Sequence, residues 1–90
     1  MSRLMNIGFG NAVNTDRVLA AVNPDAAPVR RMVSSARERD MLIDATQGRK
    51  TKSVLVMTDG RLVLSALQTD TIMKRFNDPQ GRTEEEAEND

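Results

Sequence analysis

Apolar and polar positions alternate in short blocks along this 90-residue chain. Arg3-Leu4-Met5-Asn6-Ile7 reads as a short strand that ends in the turn-rich stretch Gly8-Phe9-Gly10-Asn11. Val18 to Val22 is an unbroken apolar run closed by Asn23-Pro24-Asp25. Its length suits a buried strand, while its alanines and the preceding Asn14-Thr15-Asp16 suit a helix start. Pro24 and Pro28 leave a helix too few residues, so the run is read as a strand. Asp25-Ala26-Ala27-Pro28 then starts a helix, with Pro28 near the first helical position. Val29, Met32, Val33 and Ala36 follow at i, i+3, i+4 and i+7, one apolar stripe, and Asp40 marks the exit. Met41-Leu42-Ile43 is a further short strand.

Residues 51–57 and 61–67 form a β-hairpin around Asp59-Gly60, the pair favoured in a two-residue type I′ turn. The first arm holds Val54-Leu55-Val56-Met57, four apolar residues in succession, which predicts a strand covered on both faces. One helix covers one face, so the pattern predicts a partner subunit on the other and hence a homo-oligomer. Thr69-Asp70-Thr71 caps a last short helix, Ile72 to Phe76, with Ile72, Met73 and Phe76 turned inward. The expected fold is a small α+β domain over residues 1–76, with short strands, one central amphipathic helix, a β-hairpin and a short C-terminal helix. Residues 77–90 are expected to be a disordered acidic tail.

Charge divides the chain the same way. Thirteen Lys and Arg balance thirteen Asp and Glu. Residues 1–75 hold 12 of the bases against 7 acids, a net +5, and residues 76–90 hold Arg82 against six acids, a net −5. Such segregation points to nucleic acid or membrane contact, or to a tail that shields a basic face. Composition narrows the choice. The chain has no His, Cys, Trp or Tyr and two Phe. Thiolate and Ser-His-Asp chemistry is excluded, a zinc site is disfavoured, and no cofactor is expected. Two Phe make a poor platform for stacking unpaired bases. No segment reaches the roughly 20 apolar residues of a membrane span, and Met-Ser-Arg-Leu-Met-Asn lacks the apolar run of a secretory signal. The expected compartment is the cytoplasm, with no membrane partner.

The densest cation cluster is Gly48-Arg49-Lys50-Thr51-Lys52, with no acid between Asp44 and Asp59. Arg, Lys and Thr side chains beside free backbone amides are the groups that grip phosphate oxygens. The same residues also suit an ordinary solvated loop. Arg30 and Arg31, followed by Arg37 and Arg39, could extend a basic surface along the helix, or could serve structure alone through an Arg37–Asp40 pair and the helix dipole. Gly8-Phe9-Gly10 is no dinucleotide fingerprint, because position 13 is Val13, and it reads as a turn.

Several short motifs occur in a recognisable order: Asn6-Ile7-Gly8-Phe9-Gly10-Asn11; Arg17 before an apolar strand; Pro24-Asp25-Ala26-Ala27-Pro28-Val29-Arg30-Arg31; Ala36-Arg37-Glu38-Arg39; Asp44-Ala45-Thr46-Gln47-Gly48-Arg49; and the Asp-Gly hairpin. Over roughly residues 3–76 the chain resembles the RemA family of bacterial regulators, the extracellular matrix regulatory protein A group. The resemblance implies a cytoplasmic, nucleoid-associated transcription regulator of biofilm-matrix and osmoprotection genes. It also implies a ring-shaped homo-oligomer that carries double-stranded DNA around its outside, in a mode likened to LytTR domains. It places DNA contacts at Arg17, Arg49 and Lys50. At the third position the resemblance is to a family member with arginine, and Lys50 keeps the charge but lacks the fork needed for bidentate contact with guanine, so phosphate gripping is favoured over base reading. Lys52, Arg30 and Arg31 complete the expected DNA-binding set. The other reading left open is a protein-interaction module whose basic loop meets an acidic partner.

Overall fold

The chain begins with two strands, β1 (Leu4–Gly8) and β2 (Asn11–Asn14), joined by a two-residue turn at Phe9-Gly10. Phe9 (φ 55°) and Gly10 (φ 78°) both take positive φ, the type I′ signature. The computed structural model describes residues 3–78. The expected tail lies, from residue 79 onward, outside the described residues. Strand β2 is absent from the expected elements, because Asn-Ala-Val-Asn offers one large apolar side chain, Val13, which turns into the core.

A single 3₁₀ turn, Thr15–Arg17, leads into β3 (Val18–Val22). Helix α1 (Ala27–Glu38) follows, with Pro28 in its first turn. It ends in a Schellman arrangement: Asp40 takes φ 59°, the Met41 amide donates to the Ala36 carbonyl at 2.8 Å and the Asp40 amide to the Arg37 carbonyl at 3.3 Å. Asp40 therefore marks the exit as expected. The Arg37–Asp40 pair, one of the two readings open for these cations, is not formed, whereas Arg61 Nε lies 3.3 Å from Asp59 Oδ2. Of the predicted stripe, Val29 and Ala36 are buried and Val33 half-buried, while Met32 is exposed.

After β4 (Leu42–Asp44) come β5 (Ser53–Met57) and β6 (Leu62–Ser65). Together with β3 they form one sheet in the order β3-β5-β6-β4, antiparallel except where β4 runs parallel to β6. The β5–β6 connection differs from the expected two-residue turn. It is the three-residue loop Thr58-Asp59-Gly60, closed by Met57 N–H donating to Arg61 O at 2.9 Å. Gly60 takes φ 92° and Asp59 is not among the positive-φ residues. Asp59 Oδ1 instead accepts from the Arg61 amide at 3.0 Å, which favours a type I turn followed by a left-handed glycine.

The central strand explains the core. Leu55 pairs with Val63 across the sheet and faces Met5, Ile7, Val13, Ala45, Leu67 and Ile72. Val54 pairs with Leu64 and faces Val29 and Ala36 of α1 on the other side. Both faces of β5 are thus covered from within one chain, by α1 on one side and by the β1–β2 hairpin and α2 (Thr69–Phe76) on the other. The apolar run therefore supplies no case for a partner subunit.

Helix α2 also departs from its expected caps and face. Gln68 occupies the N-cap without a side-chain bond, so Thr69 is already helical. Ile72 and Arg75 are buried, whereas Met73 (50% exposed) and Phe76 (42% exposed) face outward. Arg75 Nη1 donates to the Asn6 carbonyl at 2.7 Å, and Arg3 Nη2 donates to the carbonyls of Arg75 (2.8 Å) and Phe76. Arginine thus serves as a buried tie between α2 and β1, a role that a hydropathy pattern hides. No helix among the described residues is long and apolar enough to cross a membrane.

Candidate nucleic-acid interface

The basic segment lies on the loop between β4 and β5, and backbone bonds pin both of its ends to neighbouring residues of β6. The Ala45 amide donates to Leu64 O at 3.0 Å and the Lys52 amide to Ser65 O at 2.9 Å. Between these anchors Gln47 (φ 55°) and Gly48 (φ 78°) form a second left-handed turn, closed by Arg49 N–H donating to Thr46 O at 2.9 Å. The turn places Arg49, Lys50 and Lys52 outward, all exposed. They share a cleft of about 250 Å³ with Phe9, Ala66 and Leu67. The Arg49 guanidinium stands over the Phe9 ring, 5.5 Å from its centroid. Among the described residues no carboxylate lines this cleft. Its chemistry is that of an anion cradle: three cations, an apolar floor and no competing acid.

Asp44 supports the loop from below. Its Oδ1 accepts from the Thr46 hydroxyl at 2.6 Å and from the Thr46 amide at 2.9 Å, and Thr46 is buried. The hydroxyl bond and then the amide bond from Thr46 hold the Asp44 carboxyl below the ordinary aspartate value; burial opposes them, and the charge of Arg37 adds a smaller lowering effect. A depressed folded-state pKa stabilises the fold at neutral pH, and this contribution fades as pH falls through that pKa. The stability advantage of wild type over Asp44→Asn is therefore expected to be full at neutral pH and to shrink in acid. Urea midpoints of both proteins across the acid range measure it, and a pH-independent difference would contradict this assignment.

The sequence of the whole described domain decides the family. The profile of the RemA-like family, described as extracellular matrix regulatory protein A-like, matches residues 4–76. The chain belongs to the RemA-like family. Proteins of Bacillus cytotoxicus and Bacillus mycoides, both named as regulatory proteins, are each 49% identical to it over 83 residues, covering 92% of this chain and 95% of theirs. A Bacillus cereus protein named in the same way matches to the same extent.

In this RemA-like chain the expected DNA-binding residues fall in three places. Arg49, Lys50 and Lys52 meet at the cleft just described. Arg17 is exposed at the start of β3, where its carbonyl accepts from Thr58 N–H at 2.8 Å and its side chain borders a second cleft with Asn14, Ile43 and Arg61. Val18 pairs with Met57 at the far end of β5 from Lys52. About five strand residues at about 3.3 Å each put roughly 16 Å between the two positions. Arg30 and Arg31 are exposed on α1, which covers the opposite face of the sheet from the β1–β2 hairpin. Arg31 and Arg39 border a shallow groove beside Gly60 there, apart from the basic cleft. Phe9 is the site residue that sequence reasoning misses. Its one signal is an apolar residue between two glycines in a predicted turn, a place with no core to fill.

Proposed function

We propose that this RemA-like chain is a sequence-preferring transcription regulator that grips double-stranded DNA by its phosphates, with matrix or stress genes as its targets. The observation that carries this is the convergence of Arg49, Lys50 and Lys52 on one carboxylate-free cleft, held in place by backbone bonds at both ends of its loop. Arg17, roughly 16 Å away along β5, provides a second grip on the duplex. Arg30 and Arg31 belong to a separate face and add a weaker electrostatic contribution. Residues 1–76 are the binding domain, and the segment from 77 is an acidic appendage to it. The reading carries no enzymatic step and no cofactor, and places the protein in the cytoplasm at the nucleoid.

A single subunit offers few cations, so the reading includes a homo-oligomer, closed as a ring, that repeats them along one duplex by effective concentration. Two sheet edges, unpaired by any strand among the described residues, support it. Strand β3 carries Leu19 (70% exposed) beside the outward Met73 and Phe76, and the opposite edge strand β4 carries Ile43 (47% exposed). Docking one edge on the other in successive copies is a head-to-tail arrangement that closes if the rotation allows.

Salt tests the reading. The logarithm of the association constant for duplex is expected to fall linearly with the logarithm of salt, by about 0.9 per phosphate neutralised. Three or more neutralised phosphates give a slope steeper than about 2.5 by the same rule. Light scattering on the same samples reports a mass several times that of one chain. Equal, salt-matched affinity for heparin and duplex would favour the acidic-partner module instead, and a monomeric mass would remove the ring.

A further inference from the structure

Phe9 stands where the chain gains nothing from it as a core residue. It is 41% exposed and sits at φ 55°, a left-handed position that a bulky aromatic residue rarely takes and that glycine or asparagine would fill without strain. Yet the turn that carries it is unusually well fixed. Asn6 Oδ1 accepts from the Gly8 amide at 2.7 Å, and Asn11 Nδ2 donates to the Gly8 carbonyl at 3.1 Å. Behind them the buried Ser65 hydroxyl donates to the Ile7 carbonyl at 2.9 Å and accepts from the Leu67 amide at 3.1 Å. Gly8 lies close against Leu67, where an added Cβ would meet Leu67 Cγ at 3.4 Å. A strained residue on an over-determined platform is the arrangement in which strain serves a site.

What the platform presents is a ring face beneath the Arg49 guanidinium, 5.5 Å from its centroid. Arg49 belongs to the other left-handed turn. Its backbone amide is tied to Thr46, while its exposed side chain reaches back across the cleft to lie over the ring. We infer that Phe9 is a positioning residue for nucleic-acid contact, which holds the Arg49 guanidinium over the cleft by a cation–π interaction so that its donors meet a phosphate already oriented. The ring leaves the edge donors of the guanidinium free, and a planar cation stacked on a face loses less freedom when it grips an anion than one waving in solvent. This rests on the DNA reading above and adds to it a residue without charge.

The test uses the full chain and a fluorescein-labelled random-sequence duplex, with affinity read by anisotropy. Phe9→Tyr keeps the ring and binds as wild type. Phe9→Leu keeps apolar bulk without the ring and weakens binding about two- to fivefold per subunit engaged. In an Arg49→Ala background Phe9→Leu costs nothing further, because the interaction it removes is already gone. Phe9→Asn relieves the left-handed strain, so its melting temperature is equal to or above that of wild type while its affinity drops as for Phe9→Leu. A residue needed only for folding would show the opposite, a lowered melting temperature. Wild-type affinity in Phe9→Leu, or a loss of equal size with and without Arg49, overturns the inference while leaving the DNA reading intact. Wild-type affinity in Arg49→Ala alone overturns the reading of this cleft, and the role of Phe9 with it.

Discussion

Replacing Arg49 and Lys50 together by alanine is expected to abolish retention of duplex DNA in a gel-shift assay while leaving the size of the assembly unchanged. Both side chains are exposed, and the loop that carries them is held by the Ala45, Arg49 and Lys52 backbone amides, none of which the substitutions touch. The fold should therefore survive. Each phosphate that is no longer neutralised lowers the salt slope by about 0.9, and the deficit repeats in every subunit that faces the duplex. Removing both cations from every subunit thus weakens binding steeply as the number of engaged subunits grows. Mutating a single distant cation such as Arg30 removes one weak contribution from a different face and leaves most of the retention. Undiminished binding by the double variant would sink the assignment of this cleft.

The largest loss of stability is expected from Leu55→Ala. Leu55 is fully buried in the central strand, between Ala21 of β3 and Val63 of β6, and packs against Met5, Ile7 and Ile72. Truncation leaves a cavity bounded by separate elements that cannot all move inward, and such changes cost about 2–5 kcal/mol. Domains of this size hold about 5–15 kcal/mol in all, so a large share of the fold's stability rests on one side chain. A urea titration read by circular dichroism measures it as a fall in the midpoint at an unchanged slope. A shift smaller than that of an exposed-site control would show that the two layers collapse onto each other more readily than the packing implies.

Much of this architecture is readable from local pattern, and the exceptions have definable causes. Strands β1 and β3, helix α1 and the β5–β6 hairpin each carry a run or a period that survives tertiary packing. Strand β2 does not, since Val13 is its one core anchor. The Asp59-Gly60 pair suits type I′ geometry, but the Asp59 carboxylate bonds the Arg61 amide and selects a longer loop. The type I′ signature occurs instead at Phe9-Gly10 and Gln47-Gly48, where the first position holds a residue that disfavours it. The second cover of β5 is hidden from local pattern because it is built from segments far apart in sequence, β1–β2 and α2, which no window views together. The inward Arg75 reverses the expected face of α2 for a similar reason: its partner, the Asn6 carbonyl, lies 69 residues away. At the candidate site the cations are legible as a cluster, whereas the Phe9–Arg49 pair unites two distant turns that only the folded chain brings together.

The strand order also sets a schedule for the growing chain. Strands β3 and β4 are the outer strands of the four-stranded sheet, and their partners, β5 and β6, are made after both. On the ribosome the first half of the domain can complete only the β1–β2 hairpin and α1, and α2 is a helix too short to persist alone. The last carbonyls of α2 are capped by Arg3, from the opposite end of the domain. The sheet therefore assembles from its rims toward a centre that arrives last, and the domain gains its cooperative stability only when nearly all of it has emerged.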